Sequence, residues 1–342
     1  MGDADVRVPS LVVLANGVLL PGVIEAEVGR NNHYAADRFC VRAALSPSDA
    51  AIWNQAGLEL ELRFGLDGAM ASLVTGLVDH VRADALRGEV TFEGRDLSAG
   101  LIEARTREAF ANRTASEVAM LLAARHGLLP MVTPTVTPVG RYYQSEHERV
   151  TLDQFARATT EWDLLVFLAQ REGFDVWVEG RALFFAPPGD AVGMVLSPAQ
   201  CVSLRLERAL TIAGDIEVTV KSWNSARQAA FQTSVRRRGA GGGGRVQSYV
   251  FVRPNLTPDE AQVFARRALE DLSRHERVVE AVLPGELGLS PRSRVTLAGT
   301  GTDFDRDYDV AEIERRISAR EGFTERLRLR SVAAEAVEAA YG

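Results

Sequence analysis

The sequence predicts an α+β fold that is mainly β, with two related antiparallel β-barrels joined by α/β insert domains. Short alternating apolar bursts, cut by turn dipeptides, fill the chain from Leu11 to about Glu93 and return from Cys201 onward. Between and within these β regions lie amphipathic stretches that open on helix-capping signals. With 342 residues, 46% of them hydrophobic, the chain is long enough for two or three packed domains, each with its own core.

The first β region, residues 1–95, begins with LVVLANGVLLPGVIEAEVG, in which Asn16-Gly17 and Pro21-Gly22 suit tight turns. DRFCVRAAL follows with its own alternation. LELELRFGLDGAMASLVTGLVDHVRADALRGEVTFEG continues the pattern, turning at Asp67-Gly68 and Arg87-Gly88. Alternating strands at this density predict an antiparallel barrel or sandwich.

Residues 96–200 form a helical and helix-hairpin insert region. Thr114 and Glu117 stand in capping-box spacing before Val118, Leu121 and Leu122, and Gly127 supplies the stop. Pro134 and Pro138 forbid a helix in MVTPTVTPVGRYY and predict an extended connection. A second helical zone covers VTLDQFARATT and then TEWDLLVFLAQREG, the latter from near Thr160 to Gly173. FDVWVEGRALFFAPP reads as a hairpin turning at Glu179-Gly180. Trp162, Phe167, Phe174, Trp177, Phe184 and Phe185 are expected to be the core of this helix-hairpin unit.

The second β region takes in 201–236 and 278–331, interrupted at 237–277 by a Gly-rich loop and a helix insert. Its strands are VSLRLERAL, GDIEVTVKSWNSARQ, AAFQTSVRRR, ERVVEAVLPG, SRVTLAG, DYDVAEIERRIS and GFTERLRLR. Within the interruption, Thr257 as cap, Pro258 at the first helical position and Glu260 in box spacing make the strongest helix start in the chain. The tail at 332–342, VAAEAVEAAYG, is expected to be loose or weakly helical. Two β regions of similar size point to two related barrels.

Composition excludes several classes. No run approaches the ~20 apolar residues of a bilayer span, and MGDADVRVPS has no basic region leading into a long hydrophobic one, so no secretory signal is expected and folding is expected in the cytoplasm. A formal charge of −7 argues against a general nucleic-acid binder. Cys40 and Cys201 read as small core residues without a disulfide.

No segment assigns a catalytic, cofactor or metal residue. Asp303, Asp305, Asp307, Asp309 and Glu314 fall at calcium-loop spacing, but Tyr308 stands where the sharp turn demands Gly, and a solvated hairpin loop is the expectation. RRRGAGGGGR lacks the Lys and following Ser or Thr of a phosphate loop, with Arg245 at the Lys position and a strand after it. It reads as a flexible loop, and Arg236 to Arg238 with Arg245 read as an exposed basic patch that could meet an acidic neighbour or nucleic acid. The histidines, at 33, 80, 126, 147 and 275, lie in separate segments, and neither HExxH nor GxSxG occurs.

Four segments together resemble the phage late control protein D family, the baseplate hub proteins of contractile tails, related to the N-terminal part of type VI secretion spike proteins. They are VTFEGRDLSAGLIEARTREAFANRTASEVAMLLAARHGL, TTEWDLLVFLAQREGFDVWVEGRALFFAPP, GDIEVTVKSWNSARQ, and LPGELGLSPRSRVTLAGTGTDFDRDYDVAEIERRIS with GFTERLRL. The resemblance implies a homotrimer in which three copies of two similar barrels form a pseudo-sixfold ring, a symmetry adaptor between a sixfold tail tube and a threefold central spike. It implies partners among tail tube or tube-initiator, spike, tape-measure and baseplate wedge proteins, no membrane, and DNA only as passing cargo. The implied location is the virion tail baseplate, assembled in the host cytoplasm. In this frame KSWNS ends a ring-forming strand with Trp223 as a packing residue. Where relatives often carry a His after the DYDVAEIE-like strand, this chain has Arg315 and Arg316, which puts a functional role there in doubt. The chain stops at Gly342 without a long extension, so the spike is expected to be a separate protein, and no lysozyme-like or peptidase-like segment is visible. The alternatives are a tail-associated cell-wall hydrolase using the Asp303–Glu314 acids, and a binding module gripping an anion with AGGGGR.

Overall fold

The structure is a computed structural model that describes residues 7–44, 53–105, 110, 113–136, 138–139, 160–189, 193–224, 229–239, 246–253, 256–332 and 338–341. The first β unit holds β1 (Pro9–Ala15), β2 (Val18–Leu19), β3 (Val23–Asn31), β4 (Arg38–Ala44), β5 (Glu59–Leu66), β6 (Ala69–Asp84) and β7 (Glu89–Asp96). Asn16 and Asp67 adopt positive φ, 47° and 51°, each followed by a positive-φ Gly, the backbone of a tight hairpin turn. Alternation turns Val28, Val41, Leu60, Phe64 and Phe92 into one core, each of them at most 1% exposed.

The first insert contains α1 (Ser98–Glu103), β8 (Arg113–Thr114), α2 (Ala115–Arg125), β9 (Leu129–Val132), β10 (Pro138–Val139), α3 (Glu161–Glu172), β11 (Asp175–Glu179) and β12 (Ala182–Ala186). Thr114 and Thr160 cap α2 and α3 with complete capping boxes, and Gly173 ends α3 in the left-handed region at φ 77°. Val118, Leu122, Leu165 and Leu168 bury against Val176, Leu183 and Phe185 of the hairpin. The expected aromatic core divides: Trp162 and Phe185 are buried, whereas Trp177 and Phe184 stack on the opposite face of the hairpin, centroids 4.8 Å apart, under the Arg292 guanidinium. VTLDQFARAT, the first part of the second helical zone, lies outside the described residues, as do residues 240–245 of the Gly-rich loop.

The second β unit comprises β13 (Gly193–Leu196), β14 (Ser203–Arg208) and, after a second insert, further strands. That insert is β15 (Ile216–Asn224), β16 (Ala229–Arg237), β17 (Gln247–Val252) and α4 (Pro258–Ser273). The unit resumes with β18 (Arg277–Pro284), β19 (Arg294–Leu297), β20 (Asp307–Ser318) and β21 (Gly322–Ser331), and β22 (Glu338–Tyr341) follows. The expected capping box of Thr257 with Glu260 is present on α4.

Four sequence expectations are corrected here. Strands β15 and β16 do not join the second β unit; they pair with β17 and β22 in a separate four-stranded sheet, because Ile216, Val218, Val220 and Val235 are buried under α4. Trp223 is not a packing residue within the chain: it sits on the sheet face away from α4 and is 51% exposed. The tail segment 338–341 is a strand against β16, neither loose nor helical. Cys40 and Cys201 are free thiols, but partly rather than fully buried.

The two β units are one hydrogen-bonded surface, with strands in the order β14-β18-β21-β20-β3-β4-β7-β6-β5-β1-β2. Within it a pattern repeats. β3-β4-β7-β6-β5 in the first unit matches β14-β18-β21-β20-β19 in the second, in chain order as well as sheet order, with the second insert standing between β14 and β18. The bulge between Val78 and His80, where β6 meets β7, recurs between Val310 and Glu312, where β20 meets β21. The units differ at the periphery, where β1 adds antiparallel to β5 but β13 adds parallel to β19.

The β20–β21 hairpin serves both cores. Tyr308, Val310, Leu327 and Leu329 pack in the second core, while Ile317 and Phe323 pack in the first, where Phe323 meets Phe64 edge-on at 5.7 Å. Between these two sets lie Arg315 and Glu325, at 1% and 0% exposure, with Arg315 Nε 2.6 Å from Glu325 Oε2 and its Nη2 donating to the Leu289 carbonyl at 2.8 Å. A buried ion pair thus marks the boundary between two apolar cores.

Candidate functional site

Eight consecutive strands, from β14 to β6, turn one side to the two cores and the other to solvent. Register places outward side chains of opposite sign next to one another across this second face. Arg205 lies 3.6 Å from Glu280, Arg38 3.6 Å from Glu312, Arg42 3.1 Å from Glu25, and Arg316 3.0 Å from Glu25. Arg95 binds Asp79 at 2.6 Å and Arg82 pairs with Glu93. The Arg95 hydrogen bond holds the Asp79 carboxyl below the usual carboxylate range, and Arg82 does the same for Glu93. Such cross-strand pairs stabilise a solvated face by about 0.2–1 kcal/mol each.

Where Gly29 leaves out an outward side chain, the face dips into a cleft of about 360 Å³ that Cys40, His80 and Glu27 help to line. Beneath it, Gly94 belongs to the inward row of β7, where a Cβ would stand 2.2 Å from the Leu77 carbonyl oxygen and 2.4 Å from Phe39 Cζ, so core packing requires glycine at that position. Burial, then the charge of Glu93, pushes the Cys40 thiol up. Among the described residues no group of three or more His, Cys, Asp or Glu is arranged to hold a metal ion.

Among the described residues, both ends of the eight-strand set are open. β14 pairs with β18 on one side only, and β6 from Asp79 to Asp84 pairs with β7 on one side only, because β5 reaches no further than Leu77. The matching positions inside the chain are occupied: β20 from Glu312 to Ser318, the counterpart of that free part of β6, pairs antiparallel with β3, the counterpart of β14.

The calcium-spaced acids do not converge. Asp303 accepts from Arg208 and Arg277 at 3.0 and 2.8 Å, Asp305 accepts from the Thr300 hydroxyl at 2.6 Å, and Asp307 accepts from the Thr296 hydroxyl at 2.5 Å. Asp309 lies 3.5 Å from Arg294, and Glu314 belongs to the outward row of β20. Arg236 pairs with Asp215, and Arg237 is buried with Glu276, so two of the expected basic patch are internal ties; Arg245 lies outside the described residues. His126 is bound to buried Glu161 at 2.6 Å, while His147 lies outside the described residues.

No family model matches the chain, and no curated protein matches it in sequence. Solved structures match its fold. A tail protein from Neisseria meningitidis MC58 is 17% identical with a TM-score of 0.70, over 94% of this chain and 96% of that one. The 43 kDa tail protein of prophage MuSo2 from Shewanella oneidensis is 16% identical with a TM-score of 0.71, over 94% and 98%. This chain has the fold of phage tail proteins. The same fold extends to the E. coli c3393 protein, a component of the type VI secretion system with structural similarity to T4 bacteriophage tail proteins gp27 and gp5, at 12% identity and TM-score 0.55 over 94% and 77%. The solved structures that share this fold are tail proteins and a type VI secretion component, the kinds of protein that the four sequence segments resemble.

Sequence reasoning missed the cross-strand charge pairing of the polar face and α1. A usable signal was present: DYDVAEIERR and TERLRLR alternate charge with apolar residues at the period of a strand with one wet side.

Proposed function

We propose that the chain is the structural hub of a phage tail or phage-derived injection particle, a homotrimer that matches a sixfold tube to a threefold spike. The observation that carries this reading is the repeated strand order, with β20 seated on β3 while β6 and β14 stand open. If β6 of one copy takes β14 of the next as β20 takes β3, each contact is head-to-tail and three copies close a ring. Eight strands per copy make a ring of about 24 strands; at about 4.8 Å per strand its backbone circumference is about 115 Å and its diameter about 37 Å. Six near-equivalent arcs then face a tube, while the chain itself repeats three times toward a spike.

The role is structural rather than catalytic, and its place is the tail tip of the particle, built in the host cytoplasm. Partners are a tube or tube-initiator protein and a spike, with tape-measure and wedge proteins nearby and DNA passing through the bore. The hydrolase alternative draws on the Asp303–Glu314 acids, and these are tied to arginines and hydroxyls across an exposed loop and strand.

The test is covalent. With Cys40 and Cys201 replaced by Ser, a chain carrying Arg82→Cys and Arg205→Cys is treated with a flexible bismaleimide. A covalent trimer on a denaturing gel, absent from either single-cysteine variant, is the expected result; a chain that stays monomeric at high concentration overturns the ring.

A further inference from the structure

The outward arginines of the polar face are of two kinds. Arg38, Arg42, Arg82, Arg95, Arg205 and Arg316 each have a carboxylate within 4.0 Å. Arg326, Arg328 and Arg330, successive outward residues of β21, have none among the described residues, although acids stand across from them on β20. Asp309 is engaged with Arg294, Glu312 with Arg38 and, across on β18, Glu280 with Arg205, whereas Glu314, opposite Arg326, lies within 4.0 Å of no described arginine. Arg330 is depressed by its partial burial and then by the neighbouring charge of Arg328, with Arg274 adding to it against Glu312. His33 and His275 flank the same end of the strip and are held below the ordinary histidine range by burial and then by Arg330, so they add little charge at neutral pH.

The repeat gives this strip its meaning. The counterpart of β21 in the first unit is β7, whose outward residues include Glu89 and Glu93, both paired with arginine. The backbone pattern therefore approximates sixfold symmetry while the unpaired charge occurs once per chain. We infer that Arg326, Arg328 and Arg330 dock an acidic segment of a protein partner with threefold symmetry, seated against the wall of the bore. The strip repeats about every 7 Å along the strand, the spacing at which an extended peptide presents alternate carboxylates, and a guanidinium fork matches a carboxylate in two-point contact. A passing polyanion without threefold symmetry would give no reason for the strip to be present on β21 and absent from β7. The inference rests on the hub reading for the position of the face.

The probe is a labelled peptide alternating Glu and Thr, titrated by fluorescence anisotropy into the full chain, beside a short DNA duplex and a peptide alternating Lys and Thr. Salt-dependent binding of the acidic peptide is expected, weakened about tenfold or more by the paired substitutions Arg328→Glu and Arg330→Glu, with the basic peptide gaining binding to that variant. Arg328→Gln with Arg330→Gln, checked for unchanged thermal unfolding, guards against a folding defect and is expected to lose the acidic peptide without gaining the basic one. Binding unaffected by these substitutions, or duplex bound more tightly than peptide with the same sensitivity, overturns the inference. A chain that cross-links into trimers yet ignores the acidic peptide loses only this docking site, whereas a chain that fails to cross-link loses the ring.

Discussion

Arg315 and Glu325 face each other where neither can reach water, and the second carboxylate oxygen of Glu325 is buried without a partner among the described residues. Burial raises Glu325 to about 7, and the nearby Arg315 offsets only part of that rise. Removing one member leaves an uncompensated buried charge, so Arg315→Met is expected to destabilise by about 3–5 kcal/mol, while Arg315→Met with Glu325→Leu comes back to near wild-type stability or above it. Urea unfolding of the two variants checks this, and a double variant as weak as the single one refutes it. Asp96 gives a second residue-scale expectation. Burial, reinforced by the charge of Asp37, lifts its carboxyl to about 7, and its Oδ1 accepts from the Ser98 hydroxyl at 2.5 Å. A folded pKa raised above the unfolded one contributes stability that is whole below about pH 4 and lost as pH rises through about 7. Asp96→Asn keeps the acceptor oxygen and removes that loss. Its melting temperature is therefore expected to match wild type near pH 4 and exceed it at pH 8; parallel pH profiles would rule this out.

At the scale of elements, what the sequence made legible was local. Thr114, Thr160 and Thr257 each satisfy helix-end N–H groups within four residues, and such caps were readable because their physics is short-ranged. Turn dipeptides placed the hairpins for the same reason. Which strand lies beside which was not legible, since β15 alternates as well as β14 does and differs only in finding α4 to cover it. Trp223 was misread because an aromatic residue in an apolar strand is normally inward, and here the alternation begun at Ile216 points it out. The salt-bridge rows could be suspected from charge alternation, but their pairing depends on registers between strands almost the whole chain apart, as Glu25 with Arg316 shows. The three arginines were visible as RLRLR, yet their lack of partners among the described residues is a property of neighbours contributed by β4, β18 and β20.

For the whole molecule, the shared hairpin makes the two β units one cooperative body. β20 lies between β21 and β3, and its apolar residues enter both cores. A single main unfolding transition is expected for both units, read by hydrogen exchange as equal protection of Val41 in one core and Leu329 in the other. Two separate protection levels would contradict it.

The late position of Ile317 and Phe323 in the chain also bears on synthesis. A ribosome that has released all seven strands of the first unit has still not made the two side chains that finish its interior. The nascent amino-terminal half must therefore wait, with Phe64 lacking its edge-on neighbour, until nearly the whole polypeptide has emerged. Maturation is expected to be slow, dominated by contacts between distant parts of the chain, and to expose sticky intermediates that cellular folding helpers would need to shield.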